Sequence, residues 1–384
     1  IRNAVVAMLI ALGAYGSSGL VAQVEATLDD LFHHERATEY RPQPGYEHGR
    51  DPCRFQGEVD PAAGPRSACE LIVSLRIKTV LAVLVALASL WAYQAREQRA
   101  RERLVLERSA FVPTEVVDMG RMPTELRESS GLGVSQSYPG VFWTHNDSGD
   151  GPRLYAIDDS AALLATVTVE GAMARDWEAM DLGRCPAAAD RSCLYVADIG
   201  DNRSQRESVV IYIIEEPDPF SGDHAAALVG VVPFVYLDGP HDAEGLAITA
   251  DGDVVVVTKG REQGTLLFEI PAADIVDAIA SGGMLSLDPG RPLPIRSDVT
   301  ASRYVTGAAF SPAGDVLAVR TYAEIYRFRW PVGDTPEQIG EACFLGDAEP
   351  QGEAIGFRGD AEDWLVLTSE SHIEQAGYLR AVRC

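Results

Sequence analysis

The sequence predicts an all-β fold made of a radially repeated unit, and three observations carry that expectation. Five short apolar strands open on a polar or acidic residue: Ser129-Ser130-Gly131-Leu132, Glu178-Ala179-Met180, Glu244-Gly245-Leu246-Ala247-Ile248, Thr306-Gly307-Ala308-Ala309-Phe310 and Glu353-Ala354-Ile355-Gly356-Phe357. After most of them come a turn and a second strand ending in His145-Asn146-Asp147, Asp198, Lys259, Arg320 or Glu370. The motifs recur at about one propeller-blade length, with longer intervals where Asp218–His224 and Ala272–Pro294 are insertions. Five motifs give five blades, or six if an insertion hides a degenerate one. A pair of β-sandwich sheets would not need so regular a recurrence.

Each element follows from local chemistry. From Glu115 onward, short β-branched and aromatic runs alternate with Gly, Pro, Asp and Asn turns, and Ala272–Ala280 is the one helical stretch expected. The final unit, 353–384, holds three strands, so Glu115–Gly120 is expected to supply its outer strand and close the ring. Closure removes the open sheet edge. Trp143, Trp177, Trp330 and Trp364 are expected to pack between blades.

Ahead of the propeller (109–384) the sequence divides into shorter segments. Residues 1–24 form a hydrophobic segment, uncharged from Asn3 to Val24, that reads as a signal or a transmembrane helix. Residues 25–78 form a polar loop with two cysteines, and the uncharged run 79–95 is long enough for a transmembrane helix. Residues 96–108 form a charged helical stalk. Five basic residues flank each side of the second run, which leaves the orientation open. The six cysteines fall into neighbouring pairs, Cys53 with Cys69, Cys185 with Cys193 and Cys343 with Cys384. An even count of this kind favours an oxidising compartment and an extracytoplasmic, membrane-anchored propeller over buried thiols.

Formal net charge is −25. Residues 1–108 carry 13 of the 57 acidic and 13 of the 32 basic side chains, so the whole excess lies in the propeller. That balance repels phosphate backbones and speaks against nucleic acid. In a propeller, the start of each innermost strand and the end of the second strand lie on one face. This gathers Glu128, Asp176, Glu178, Asp242, Glu244, Gln351 and Glu353 with His145, Asn146, Asp147, Asp150, Asp198, Asp201, Asn202, Lys259, Arg320, Tyr322, Glu370 and His372. Glu178, Glu244, Glu353, Asp147 and Asp198 are the candidate metal ligands. His145, Lys259 and Arg320 are the candidate catalytic residues, and Glu128, Asn146, Asp176, Asn202, Asp242, Tyr322 and Glu370 form the binding rim. Converging carboxylates need a cation, basic partners or protons. An oxygen-only donor set suits Ca²⁺ or another hard divalent ion. The opposing account is an ion-pair ring of Lys259 and Arg320 with Glu244, Glu353 and Glu370. No Gly-x-Ser-x-Gly elbow or dinucleotide fingerprint occurs.

The segments Glu128-Ser-Ser-Gly-Leu132, Trp143-Thr-His-Asn-Asp-Ser-Gly-Asp150, Asp176-Trp-Glu-Ala-Met180, Asp198-Ile-Gly-Asp-Asn202, Asp242-Ala-Glu-Gly-Leu246 and Gln351-Gly-Glu-Ala-Ile355 resemble bacterial exported propellers of the phytase-like, esterase-like class. Glu-Gly-Leu at the start of an inner strand also resembles the metal-binding Glu of gluconolactonase-type propellers. The resemblance covers about 115–384 and implies a divalent ion, with hydrolysis of phosphoesters or lactones. Two functions therefore compete. One is a metal-dependent hydrolase in which Lys259 and Arg320 steady negative charge and His145 or a free carboxylate acts as base. The other is a non-catalytic, membrane-anchored module that holds a small molecule, glycan or phosphoester on the same rim, with a structural Ca²⁺ or an ion-pair ring.

Overall fold

The computed structural model describes residues 68–147, 149–261, 264–295, 299, 302–331, 333, 335–346, 351–358, 363–371 and 376–384. The chain forms two compact units, Ile1–Gln98 and Arg99–Cys384. The first helix, α1 (Ala68–Arg108), contains the 79–95 run and the expected stalk, and begins inside the expected 25–78 loop. Among the described residues no helix is long and apolar enough to cross a membrane, so the expected spanning helix is not supported. The 3–24 run and the Cys53–Cys69 pair lie outside the described residues.

In the second unit β1 (Glu115–Arg121) precedes five repeats. The first is β2 (Ser129–Val134), β3 (Val141–Asn146), β4 (Arg153–Asp158) and β5 (Leu163–Glu170). The second is β6 (Trp177–Cys185), β7 (Ala188–Asp198), β8 (Val209–Glu215) and β9 (His224–Tyr236). The third comprises β10 (Ala243–Ile248), β11 (Val254–Thr258) and β12 (Leu266–Ile270). It continues through α2 (Ala272–Ser281) and β13 (Leu285–Leu287) to β14 (Arg291–Pro292), its outermost strand. The fourth is β15 (Val305–Phe310), β16 (Val316–Thr321), β17 (Glu324–Arg329) and β18 (Cys343–Phe344). The last is β19 (Gly352–Phe357), β20 (Trp364–Ser369) and β21 (Tyr378–Arg383). Each repeat is an antiparallel meander, and β1 completes the last by pairing antiparallel with β21, from Glu115↔Arg383 to Arg121↔Tyr378. Strand β2 packs on β6, β6 on β10, β10 on β15, β15 on β19, and β19 back on β2. The described residues thus form a five-bladed β-propeller, and the 272–294 insertion holds α2, β13 and the edge strand β14 rather than a sixth blade.

The strand sequences explain why the blades stack. β10 and β11 are buried along their whole length, because each blade is covered on both faces by its neighbours. Such strands read as continuous apolar runs, of which Val254-Val-Val-Val-Thr258 is the plainest, rather than as alternation. Trp143 and Trp177 are fully buried between the first two blades. One feature lies outside the sequence expectation: the outer strands β5 and β9 pair in parallel, Val167↔His224 to Glu170↔Ala227, joining the first two blades at their rims.

The unit is tied at its ends. Arg108 reaches Glu324 at 3.3 Å and Glu341 at 2.7 Å, which holds the end of α1 on the fourth blade. Disulfides join Cys185 to Cys193 across β6 and β7, and Cys343 to Cys384 between the fourth blade and the chain end, as the sequence spacing predicts. The second closes a 41-residue separation against 8 for the first. Disulfide stabilisation grows with loop length, so Cys343→Ser with Cys384→Ser is expected to cost about 2–4 kcal/mol of stability, more than the pair Cys185→Ser with Cys193→Ser. Urea unfolding of the two double variants checks this; equal losses would remove the latch role.

Candidate functional site

The site begins with a backbone irregularity that all five inner strands share. The ladder between first and second strand slips at Ser129/Leu132, Trp177/Ala179, Ala243/Gly245, Val305/Gly307 and Gly352/Ile355. A β-bulge of this kind bends the strand and re-aims a side chain. The residues left out of register include Ser130, Glu178, Glu244, Thr306 and Glu353. Two residues earlier stand Glu128, Asp176, Asp242, Tyr304 and Gln351. Beyond the ends of the second strands stand Asp147, Ile199, Lys259, Tyr322 and Glu370, as the bonds Asp147 N to Glu128 O, Lys259 N to Asp242 O and Glu370 N to Gln351 O show. Hydroxyls stitch the ring between blades: Ser130 donates to the Glu178 carbonyl and Thr306 to that of Glu353, both at 2.8 Å.

Most of these side chains are carboxylates, and two overlapping groups of three converge. Oxygens of Asp147, Asp176 and Glu178 lie within 4.8 Å of one another, as do those of Glu178, Asp242 and Glu244, and either group can hold a metal ion. Glu178 belongs to both. Its residue is 3% exposed, yet among the described residues its carboxylate has no hydrogen bond or ion pair. The second group is already compensated: Lys259 donates to Glu244, and Arg261 Nε to Asp242 at 2.7 Å. Gly200 makes the first group possible. A Cβ there would lie 2.4 Å from Glu178 Oε1 and 2.5 Å from Asp176 Oδ2, so only a bare backbone fits under the pair.

The crowding shows in the ionisation of the group. Burial, then Asp147, push Asp176 up to about 6. Burial, then Glu244 and Asp147, hold Glu178 well above the carboxylate range. Burial lifts Glu244 to about 7 against the opposing pull of Lys259, and burial with Asp147 and Glu128 lifts Glu370 to about 8. Glu353 is raised by burial and then by Glu370, while Gln351 Nε2 donates to it at 2.7 Å. Burial disfavours the Lys259 ammonium, but Glu244 outweighs it and keeps Lys259 protonated. Glu178 and Asp176 thus share an excess of negative charge that protons or a cation must relieve.

Three expected site residues lie elsewhere. His145 is fully buried between the first two blades, edge-on to Trp177 at 5.5 Å, with Nδ1 3.0 Å from the Asn146 carbonyl. Strand alternation turns it away from its neighbours Thr144 and Asn146. Burial lowers its pKa to about 4, so it is a neutral packing residue rather than a base at the opening. Arg320 is also fully buried, its Nη1 donating to the carbonyls of Ala354 and Thr368 at 2.7 and 2.8 Å. Those carbonyls flank the bulge of β19, so the guanidinium fills a gap in the ladder and does not face the opening. Asp198 pairs with Arg206 at 2.7 Å and accepts from Arg175 N, outside both carboxylate groups.

The other expected residues stand around the opening in different roles. Glu353 joins Glu370 on the fifth blade, outside the two groups of three. Asn146 is held by the Glu125 carbonyl, Asp150 and the Glu128 amide, and so shapes the loop. Asn202 accepts from Arg261, Glu128 is exposed, and Tyr322 is half-buried. His372 lies outside the described residues. At the far mouth, where inner strands end in the Ser311–Gly314 and Thr249–Gly252 turns, a cavity of about 490 Å³ opens above Asp181. Sequence reasoning missed Arg206, Arg261, Gly200 and Asp181. Of these only Gly200, inside Asp198-Ile-Gly-Asp-Asn202, offered a signal.

No protein-family model and no curated protein sequence matches the chain. Similar solved structures include the PQQ-bound aldose sugar dehydrogenase of Streptomyces coelicolor, 12% identical with a TM-score of 0.42 over 71% of this chain and 99% of that one. The apo soluble aldose sugar dehydrogenase of Escherichia coli is 12% identical with a TM-score of 0.41 over 70% and 99%. A putative gluconolactonase is 12% identical with a TM-score of 0.38 over 72% and 95%. The phytase-like half of the sequence resemblance finds no support among these matches. Likeness at this level assigns no chemistry, and the fold stands on its own sheets.

Two outcomes are expected from the site geometry. Above pH 6.5 the folded chain still holds protons on Glu244, Glu370 and, at the far mouth, Asp181 (raised to about 7 by burial), whereas the unfolded chain does not. Stability in chelator is therefore expected to fall as pH rises from 6.5 to 8, and Glu370→Gln to flatten the slope. His145, lowered to about 4 by burial, acts in the opposite sense and chiefly below that window. Urea unfolding across the range checks this, and stability that rises with pH would contradict it. Gly200→Ala is expected to push the Asp176 carboxylate out of its buried position and so return it from about 6 toward ordinary values, read by NMR titration of the Asp176 carboxyl. An unchanged titration would show that the pair is not packed on that backbone.

Proposed function

We propose that the propeller binds a divalent cation at Asp147, Asp176 and Glu178 and acts as a metal-dependent hydrolase of a phosphoester or lactone. The observation that carries this reading is the Glu178 carboxylate, almost wholly buried, flanked by two other acids and given no donor by the described residues. A native chain rarely leaves such a group uncompensated. The donors are all oxygens, which suits Ca²⁺ before softer ions. When bound, such an ion polarises a phosphoryl or carbonyl oxygen and lowers the pKa of water.

The chain's own residues supply the rest. Lys259, held protonated by Glu244, places a fixed positive charge at the opening where negative charge would develop. Glu370, raised to about 8, carries a proton at neutral pH and suits general-acid work. These replace His145 and Arg320, which are packed inside. An extracytoplasmic location belongs to the same proposal, and the two disulfides support the oxidising compartment.

A second reading, a non-catalytic module for a small molecule or glycan, is favoured by the pairs Lys259–Glu244 and Arg261–Asp242, which neutralise part of the mouth without an ion. Calorimetric titration of Ca²⁺ and Mn²⁺ into chelator-treated protein separates these. Saturable binding is expected, weakened at least about tenfold by Glu178→Gln, together with cation-dependent turnover of p-nitrophenyl phosphate or a simple lactone. Binding without turnover would leave the module, and no binding would remove the metal site.

A further inference from the structure

The mouth is electrically one-sided. The first three blades and the fifth line it with carboxylates, whereas the fourth contributes Thr306, Tyr304 and Tyr322, none of them acidic. Against the Tyr304 ring lie two guanidiniums, Arg261 at 5.5 Å and Arg303 at 5.0 Å from its centre. Arg261 is neutralised by Asp242. Arg303 is not: among the described residues no carboxylate pairs with it, and its one hydrogen bond is a long one, 3.4 Å from Nη2 to the Tyr304 hydroxyl. Its Nε–H is buried without an acceptor. In a chain of net charge −25, a half-buried arginine left without an acid beside an excess of acids is an unexpected economy. A guanidinium with an orphaned donor and no acid beside it asks for an acceptor that carries negative charge.

We infer that Arg303, with Arg261 beside it on the Tyr304 ring, forms a subsite for an oxyanion, a phosphate or carboxylate carried by the ligand. A guanidinium presents a planar fork of donors suited to either group. The Val305 amide bonds to the Lys259 carbonyl at 3.0 Å, which ties this segment to the strand end that bears the ammonium. The subsite deepens the hydrolase reading, on which it rests for its catalytic meaning: the substrate would be an anionic ester, gripped on the fourth blade while its scissile bond lies toward Asp147, Asp176 and Glu178. The anion grip itself does not need the cation and can be measured without it.

The probes are inorganic phosphate and acetate, titrated into the full chain in chelator and followed by ligand NMR line shape. Wild-type protein is expected to bind at least one of them. Arg303→Gln is expected to weaken that binding about tenfold, the worth of a charge-assisted contact. Arg303→Lys keeps the charge without the fork and is expected to fall between, which also covers the case in which the Gln variant misfolds. Glu178→Gln removes a repelling carboxylate and is expected to leave anion binding equal or tighter even if it abolishes cation binding, so the two proposals fail separately. Phosphate above acetate would assign phosphoesters, and the reverse carboxylated esters. Equal binding by wild type and Arg303→Gln, or no binding of either probe by wild type, would overturn the subsite.

Discussion

At the start of every innermost strand one step of the ladder is lost, and the displaced residue is the one that meets its counterparts from the other blades. Without the slip, the pleat would place Glu178 and Glu244 in strict alternation and turn part of the acidic set into the packed faces between blades. With it, side chains far apart in the sequence share one opening. The hydroxyls of Ser130 and Thr306 bond to the carbonyls of the next displaced residue, so the irregularity also couples neighbouring blades.

That geometry has an electrostatic consequence. Bringing Asp147, Asp176 and Glu178 together under a low-dielectric wall opposes their ionisation, and the protein compensates unevenly. Lys259 and Arg261 serve Glu244 and Asp242, Arg206 serves Asp198, and Glu178 is left with like-charged neighbours. Stability alone would favour pairing or removing such a group. A site that stays unneutralised on one side and keeps an unpaired guanidinium on the other has the polarity of a binding pocket rather than of a closed ion-pair ring.

Much of this was legible in the residues. A polar residue opening an apolar run is the signature of the inner strand, and it located Glu178, Glu244 and Glu353 as well as the five blades. The closing strand at Glu115 and the disulfides of Cys185–Cys193 and Cys343–Cys384 were also readable. What the sequence could not show was direction. His145, Asp198 and Arg320 end strands much as Asp147 and Lys259 do, but alternation and the bulge in the next blade send them into the interior. Arg206 and Arg261 lie in turns whose path depends on tertiary contacts, and the parallel pairing of β5 with β9 leaves no local pattern. The hydropathy of 79–95 predicted a spanning helix, but helix formation alone does not make a stretch a membrane span.

The most direct measurement is an anomalous-difference map from a crystal soaked in Mn²⁺, a divalent ion that oxygen ligands accept. A peak within bonding distance of Asp147, Asp176 and Glu178 is the expected result. A map that is empty there, with Glu178 instead reached by a lysine, an arginine or a neighbouring amide, would contradict the claim that this carboxylate awaits a cation.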